Sequence, residues 1–459
     1  MRRCHAASSA LVTLVLACTP TPPAGTATEA ATTSTTADAS SATEGMTSTS
    51  GASTSTTTNS TTEATTDSTT EATTSATTDD STTGVVGCGD GVAEPGQVCF
   101  ERIEIDTYAL GDIIPGDLDE DGHLDLFLVN YFPCPSVDPD RPLSERPTGP
   151  GTPRDGGAIA SFTRAFGDGA GGFVINEGPA VELGNTNDAT LRDFNGDGHL
   201  DLAVGDILFD GGMTFAVSVL LGDGLGGFGE PLHSAVPIPA FELEPGDVDS
   251  DGDLDLVIAS PSGLVALQND GAGTFTALDP FADTTHRDPN LHDLDGDGHL
   301  DLAVLRGPAP ALEVHRGAGD GTFALDAVLA MDVDSFLDLA LLAPANATRP
   351  AILFTSNTHL MSIDVEAGGD FAPPAVLGDK SGWRILLGNF DGGPRPDALV
   401  MEPGIRALVG ADPWPSPLVF VGSNGDSLSN LAAVGDFNED GVDDVAYAAG
   451  SLVLLLSDP

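Results

Sequence analysis

Residues 293–301 read D-L-D-G-D-G-H-L-D and lead into the apolar run Leu300–Leu305. Working outward, the same template returns as D-V-D-S-D-G-D-L-D (247–255), D-F-N-G-D-G-H-L-D (193–201), D-L-D-E-D-G-H-L-D (117–125) and D-F-N-E-D-G-V-D-D (436–444). Two weaker copies, D-V-D-S-F-L-D (332–338) and N-F-D-G-G-P-R-P-D (389–397), complete a series of seven. Most copies open onto a short apolar stretch, such as Leu124–Val129, Leu200–Val204 or Leu254–Ala259. Each unit is therefore read as a loop that feeds a strand.

A second signature follows in five units: G-D-G-A-G-G-F (167–173), G-D-G-L-G-G-F (222–228), N-D-G-A-G-T-F (269–275), G-A-G-D-G-T-F (317–323) and a degraded E-A-G-G-D-F (366–371). Gly-rich turns ending on a Phe read as hairpin connections. The 459 residues include 56 Gly and 33 Pro against 5 % aromatics, a turn-rich composition that argues against a mostly helical protein. Units of roughly 40–55 residues with about four strands suit the blades of a β-propeller, which protects its sheet edges by radial repetition.

On these loops the chain resembles the FG-GAP and VCBS repeats, over about residues 99–459. The resemblance implies an all-β fold, a seven-bladed β-propeller of four-stranded blades like the integrin α-subunit head, spanning 100–459. A strand count adds to it. The last unit offers strands near Leu431–Val434, Val445–Ala448 and Leu452–Leu456, and lacks a fourth. Phe100–Ile105 has no home in its own unit and is expected to complete that blade and close the ring.

In D-x-D/N-x-D-G-x-x-D, side-chain oxygens at positions one, three, five and nine, with the carbonyl of position seven, can converge on one hard cation. Gly at position six permits the sharp turn, and an oxygen-only set of this size favours Ca²⁺. The expected ligands are Asp117, Asp119, Asp121 and Asp125; Asp193, Asn195, Asp197 and Asp201; Asp247, Asp249, Asp251 and Asp255; Asp293, Asp295, Asp297 and Asp301; and Asp436, Asn438, Asp440 and Asp444. About five Ca²⁺ sites are therefore expected. An EF-hand would need Glu at position twelve, where Leu128, Val204, Ile258, Val304 and Tyr447 stand. Tandem nonapeptide rolls need contiguous repeats, and metal-free Asp-Gly turns account poorly for five loops in register. Phe336 and Pro394 interrupt the two weak copies, for which no metal is expected.

The N-terminal residues suggest an address. Residues 1–17 combine Arg2 and Arg3 with a short apolar core, as in a secretory signal. They resemble a bacterial lipoprotein signal, which implies lipidation at Cys18; ordinary cleavage and free secretion is the plainer alternative. Residues 18–84 read as a disordered stalk, since 38 of the 66 residues 19–84 are Ser or Thr and none is aromatic or cationic. Within the motif 85–99, C-G-D-G-V-A-E-P-G-Q-V-C (88–99) resembles a short cysteine-rich repeat of secreted bacterial proteins, which implies a Cys88–Cys99 disulfide. Spacing alone leaves Cys99 with Cys134 open.

With 70 Asp and Glu against 16 Lys and Arg, a net charge of −54, the chain is unsuited to nucleic acid or to an anionic membrane surface, save through a lipid anchor. No metalloprotease, nucleophile-elbow, phosphate-loop or dinucleotide motif is present. His123, His199 and His299 fall at position seven, where the backbone ligates, and read as structural. The few cations gather in links on the side away from the acidic loops: Arg141, Arg146 and Arg154 in a Pro-rich insertion, then His286, Arg287 and Lys380 beside Trp383. That face is expected to meet a glycan or protein partner outside the cell. The reading is an exported, monomeric, non-enzymatic binding or adhesion module. A polysaccharide-acting lyase or hydrolase on the same scaffold is the alternative, and a structural part of a surface assembly a third.

Overall fold

The computed structural model describes residues 100–105, 112–131, 160–177, 183, 188–208, 213–307, 309–331, 333, 336–342, 350–366, 368–378, 382–393, 396–402, 404–408, 419–422, 431–449 and 451–457. The expectations at Cys18, Cys88, Cys99, Cys134, Arg141, Arg146, Arg154 and Lys380 lie outside them.

Among the described residues the strands form seven four-stranded antiparallel sheets. In chain order they span 113–177, 189–235, 242–277, 286–330, 336–378 and 384–422, and the last joins 432–457 to 100–105. In six of the seven sheets the strands follow one another as a meander, so their pairings are local; the last adds one long-range pairing. The second strands explain themselves: Asp201–Leu208 and Asp255–Ser260 are nearly continuous apolar runs, buried along almost their whole length. Such a strand is covered on both faces. Outer strands differ, as in Phe323–Ala330, where half-buried and exposed residues mix.

What covers the second strands is the neighbouring sheet. Each apolar cluster draws on two consecutive sheets. Phe127, Val129 and Phe162 pack on Leu191, Leu202 and Val204; Val257, Leu264 and Ala266 on Leu302 and Val304; Leu386, Leu399 and Met401 on Val445, Tyr447 and Val453. The series returns to its start, because Ala446, Leu452, Leu454 and Leu456 of the last sheet pack on Leu126, Leu128 and Ala165 of the first. The inner strands also touch in sequence, and Ala432–Gly435 touches Ile113–Gly116. The architecture is an all-β propeller of four-stranded blades.

Phe100–Ile105 supplies the outer strand of the last sheet, antiparallel to Leu452–Ser457 with Phe100 opposite Ser457 and Ile105 opposite Leu452. Phe100 is buried, edge-on to Phe390 with ring centroids 6.4 Å apart. The five full acidic loops each join the first strand of a sheet to the second, and the Gly-rich turns join the third to the fourth.

One expectation is corrected. Residues 332–338 are not a weak acidic loop: Phe336–Leu342 is the first strand of the fifth sheet, and its second strand begins at Ala351. The loop place in this sheet falls on 343–350, A-P-A-N-A-T-R-P, which carries no carboxylate. Asp338 lies in the inner strand, where it has a different task.

If the strand Phe100–Ile105 locks the ring, Phe100→Ala is expected to cost about 3–5 kcal/mol. Chemical denaturation of the full chain measures this, and an unchanged midpoint would remove the strand from the fold's cooperative unit.

Candidate functional site

The acidic loops are folded by their own side chains. The backbone of position six is left-handed throughout, with φ of 94° at Gly122 and Gly198, 100° at Gly252, and 91° at Gly298 and Gly441, a conformation that glycine adopts without strain. Position four is left-handed as well, at Glu120, Ser250 and Glu439. The template did not disclose this, though Gly196 and Gly296 at the same place were its sequence signal. The position-one carboxylate accepts the amide of position six, at 2.9 Å for Asp193 with Gly198 and 3.0 Å for Asp293 with Gly298. The position-five carboxylate accepts the amide of position seven, at 2.9 Å in all five loops.

Position nine is the buried member. Asp125, Asp201, Asp255, Asp301 and Asp444 are essentially inaccessible to solvent. In each, Oδ2 accepts the amide of position two, over 2.8 to 3.0 Å. Oδ1 accepts an amide at the end of the third strand: Gly167, Gly222, Asn269, Gly317 or Ser457. Burial pushes the Asp255 carboxyl up to about 6 and Asp444 to about 7.

Three loops gather acids at a spacing that suits a cation. One carboxylate oxygen from each of Asp117, Asp119 and Asp125 lies within 4.8 Å of the others, as do those of Asp247, Asp249 and Asp251, and of Asp293, Asp295 and Asp297. Asp117 Oδ1, Asp119 Oδ1 and Asp247 Oδ1 are buried without a hydrogen-bond partner. Such an oxygen carries a desolvation penalty that a hard cation would relieve, so these loops fit Ca²⁺. The two loops with Asn at position three are arranged differently: the Asn195 amide donates to Asp197 and the Asn438 amide to Asp440, both at 2.9 Å.

Position-seven histidines do more than follow the backbone. His123 Nδ1 bonds Glu439, and His199 Nδ1 bonds Glu120, each a position-four carboxylate on the preceding sheet. His299 Nδ1 lies 3.3 Å from Ser250 Oγ in the same relation. These bonds raise the pKa of His123 and His199.

A second set of acids lines the axis. Five residues before each loop place stand Asp112, Asp188, Glu242, Asp288, Asp338 and Arg384, with Leu431 in the last sheet. Asp188 Oδ2 accepts the Leu243 amide at 2.7 Å and Asp338 Oδ2 the Ile385 amide at 2.5 Å, each on the next inner strand. The Asp288 amide donates to Glu242 in the same way. Inner strands run toward the acidic loops, so this ring lies at the opposite end. Asp188, Glu242, Asp288, Asp338, Trp383 and Arg384 line a cavity of about 560 Å³, with Arg192 and Glu244 also in its wall. Burial pushes Asp188, Glu244 and Asp338 each up to about 7, and Glu242 well above its usual range.

The described residues expected at a partner face meet different fates. Trp383 lines the cavity and is 42 % exposed. Arg287 is accessible but lies 3.8 Å from Asp288, and Arg384 lies 3.6 Å from Asp338, so carboxylates offset both cations and the axis is acidic rather than basic. His286 is corrected outright. Its side chain is 0 % exposed and bonds Glu313 at 2.9 Å, which leaves it no partner surface.

Residues 247–304, from the third acidic loop to the second strand of the fourth sheet, match the FG-GAP-like repeat family. No curated protein matches the chain. Among solved structures, the chain is similar to an Agrocybe aegerita lectin described as recognising non-reducing terminal N-acetylglucosamine, at 17 % identity and a TM-score of 0.45, over 63 % of this chain and 82 % of that one. It is also similar to the exotype rhamnogalacturonan lyase YesX, at 14 % identity and a TM-score of 0.41, over 81 % and 75 % of the two chains. Likeness at this level has no bearing on ligand or chemistry.

Two outcomes follow from this geometry. Calcium at ten times its dissociation constant stabilises each occupied loop by about 1.4 kcal/mol. Chelation is therefore expected to lower Tm, and equal Tm with and without chelator would exclude a structural cation. The second concerns pH. A carboxyl whose pKa is higher folded than unfolded stabilises the fold below its unfolded value and loses that contribution as pH rises through the folded one. For Asp188, Glu244 and Asp338 that window runs from about 4 to about 7. In chelator, Tm is expected to fall as pH is raised across it; a rise would contradict the burial of these groups.

Proposed function

We propose that this chain is an exported, calcium-stabilised, seven-bladed β-propeller that acts as a non-enzymatic binding module at the cell surface for a glycan or protein partner. In this reading residues 1–17 direct export, Cys18 carries the lipid, 18–84 space the propeller from the membrane, and Cys88 bonds Cys99 within the motif 85–99. About five calcium ions sit in the loops beginning at Asp117, Asp193, Asp247, Asp293 and Asp436. Asp117, Asp119, Asp125, Asp247, Asp249, Asp251, Asp293, Asp295 and Asp297 gain most support as ligands, from the closeness of their oxygens. The ion's task is to offset repulsion among carboxylates and stiffen each loop.

The observation that carries the binding role is the axial cavity with Trp383 at its wall. Carboxyls kept protonated toward neutral pH both donate and accept hydrogen bonds, which matches the hydroxyls of a sugar. An exposed indole offers a flat face for the sugar ring. The same acids disfavour a strongly anionic group at the axis. A carboxyl with a pKa near 7 in a cavity is also what a general acid requires, which favours a polysaccharide-acting lyase or hydrolase as the second reading.

A glycan array coupled to a turnover assay on its hits tests both. Retention without product, weakened about tenfold by Trp383→Ala, is expected. Product formation would establish the enzyme, and an array with no hits would exclude the glycan.

A further inference from the structure

We propose that His286, Glu313 and His315 form a buried site for a borderline transition-metal cation, of which Zn²⁺ is the type, distinct from the oxygen-lined loops. His286 opens the inner strand of the fourth sheet, and Glu313 and His315 stand two apart on its third strand, so alternation turns both to one face. The register sets His286 opposite Arg306 and Glu313 opposite Val304, bringing the three side chains together on the face that packs on the third sheet. They are 0 %, 6 % and 3 % exposed, and one ligand atom from each lies within 4.8 Å of the others.

The hydrogen-bond arithmetic points to a cation. His286 Nδ1 lies 2.7 Å from the Thr284 carbonyl, which can only accept, so Nδ1 carries the proton. A neutral imidazole then presents a lone pair at Nε2, and what it faces, at 2.9 Å, is the carboxylate oxygen Oε2 of Glu313. His315 Nε2 approaches the same oxygen at 3.3 Å. Two acceptors in contact in a site without solvent are unfavourable unless a proton or a metal ion lies between them. A metal ion bound by both Nε2 atoms and Oε2 meets that need.

The surroundings suit that role. The Thr284 carbonyl fixes the tautomer of His286, and Arg306 holds the other oxygen of Glu313, so two of the three ligands are oriented from behind. Phe281 stands edge-on to His315 at 5.5 Å and closes the apolar side. Arg306, 26 % exposed, is the outer wall. Two imidazoles and one carboxylate favour zinc over calcium, and three protein ligands leave a fourth position for water.

The test uses the full chain in saturating Ca²⁺, titrated with Zn²⁺ against a chromophoric chelator and, separately, with Co²⁺ read by its visible absorption. One equivalent of Zn²⁺ beyond calcium is expected, and a Co²⁺ spectrum of a low-coordinate nitrogen and oxygen site. His315→Gln and Glu313→Gln are each expected to lose that equivalent while keeping the calcium-dependent rise in Tm. A triple substitution of His123, His199 and His299 by Gln is expected to retain it. X-ray absorption of the zinc-loaded wild-type chain supplies a readout that needs no variant, with scattering from two imidazoles expected. No uptake above calcium would leave a proton in the metal's place and overturn the proposal. Loss of uptake in the triple variant, or a shell without imidazole, would equally overturn it.

Discussion

A buried aspartate that spends both oxygens on backbone amides is the constraint on which five of the seven blades depend. At position nine of the acidic loop, Oδ2 closes the loop onto position two and Oδ1 ties the second strand to the end of the third. Removing a carboxylate from water is costly, and two charge-assisted hydrogen bonds are what make it tolerable. The sixth sheet shows that this bond is independent of cation ligation. Its loop has lost acids at positions one and five, yet Asp397 still accepts the Phe390 amide at 2.9 Å. In the fifth sheet Ala351 occupies the place, and the loop ahead of it has shed its acids as well.

The two sequence signatures meet across sheets. The hairpin glycine of one sheet donates its amide to the position-two carbonyl of the sheet before: Gly171 to Phe437, Gly226 to Leu118 and Gly321 to Val248, over 2.8 to 3.0 Å. In the third sheet the Asn269 side chain takes over, donating to the Phe194 carbonyl at 2.7 Å. The hairpin phenylalanines follow the same path, Phe173 onto Phe437 and Phe275 onto Phe194, at centroid distances of 5.9 and 5.7 Å. The acidic loop therefore also positions the next sheet. Asp188, Glu242 and Asp338 repeat that logic at the opposite end, each holding the next inner strand by its amide.

Much of this was legible because it is local. A nine-residue loop and a seven-residue turn carry their geometry in adjacent residues, and a strand without a partner in its own unit could be matched to a unit lacking one. The axial ring was hidden because five of the seven sheets contribute one acid apiece, separated by dozens of residues and set off by no flanking pattern. D-V-D-S-F-L-D misled for the same reason: Asp338 belongs to that ring, and only the start of the next strand reveals the phase. Pairing of Arg384 with Asp338 depends on the neighbouring sheet and leaves no trace in composition. For His286 and His315 the one hint was Glu-x-His on a strand, which a count of lone histidines passes over.

The closing strand comes from the beginning of the propeller, while its partner is the last described strand. Whatever holds the protein through residues ahead of Phe100 thus hauls on the ring at its own latch. Tension arriving there meets six paired residues, Phe100 to Ile105 against Ser457 to Leu452; a pull along the strand would load their hydrogen bonds together in shear, and a pull away from the sheet would open them one after another. In a molecule held from that side, the point of attachment and the seam of the ring would be mechanically one.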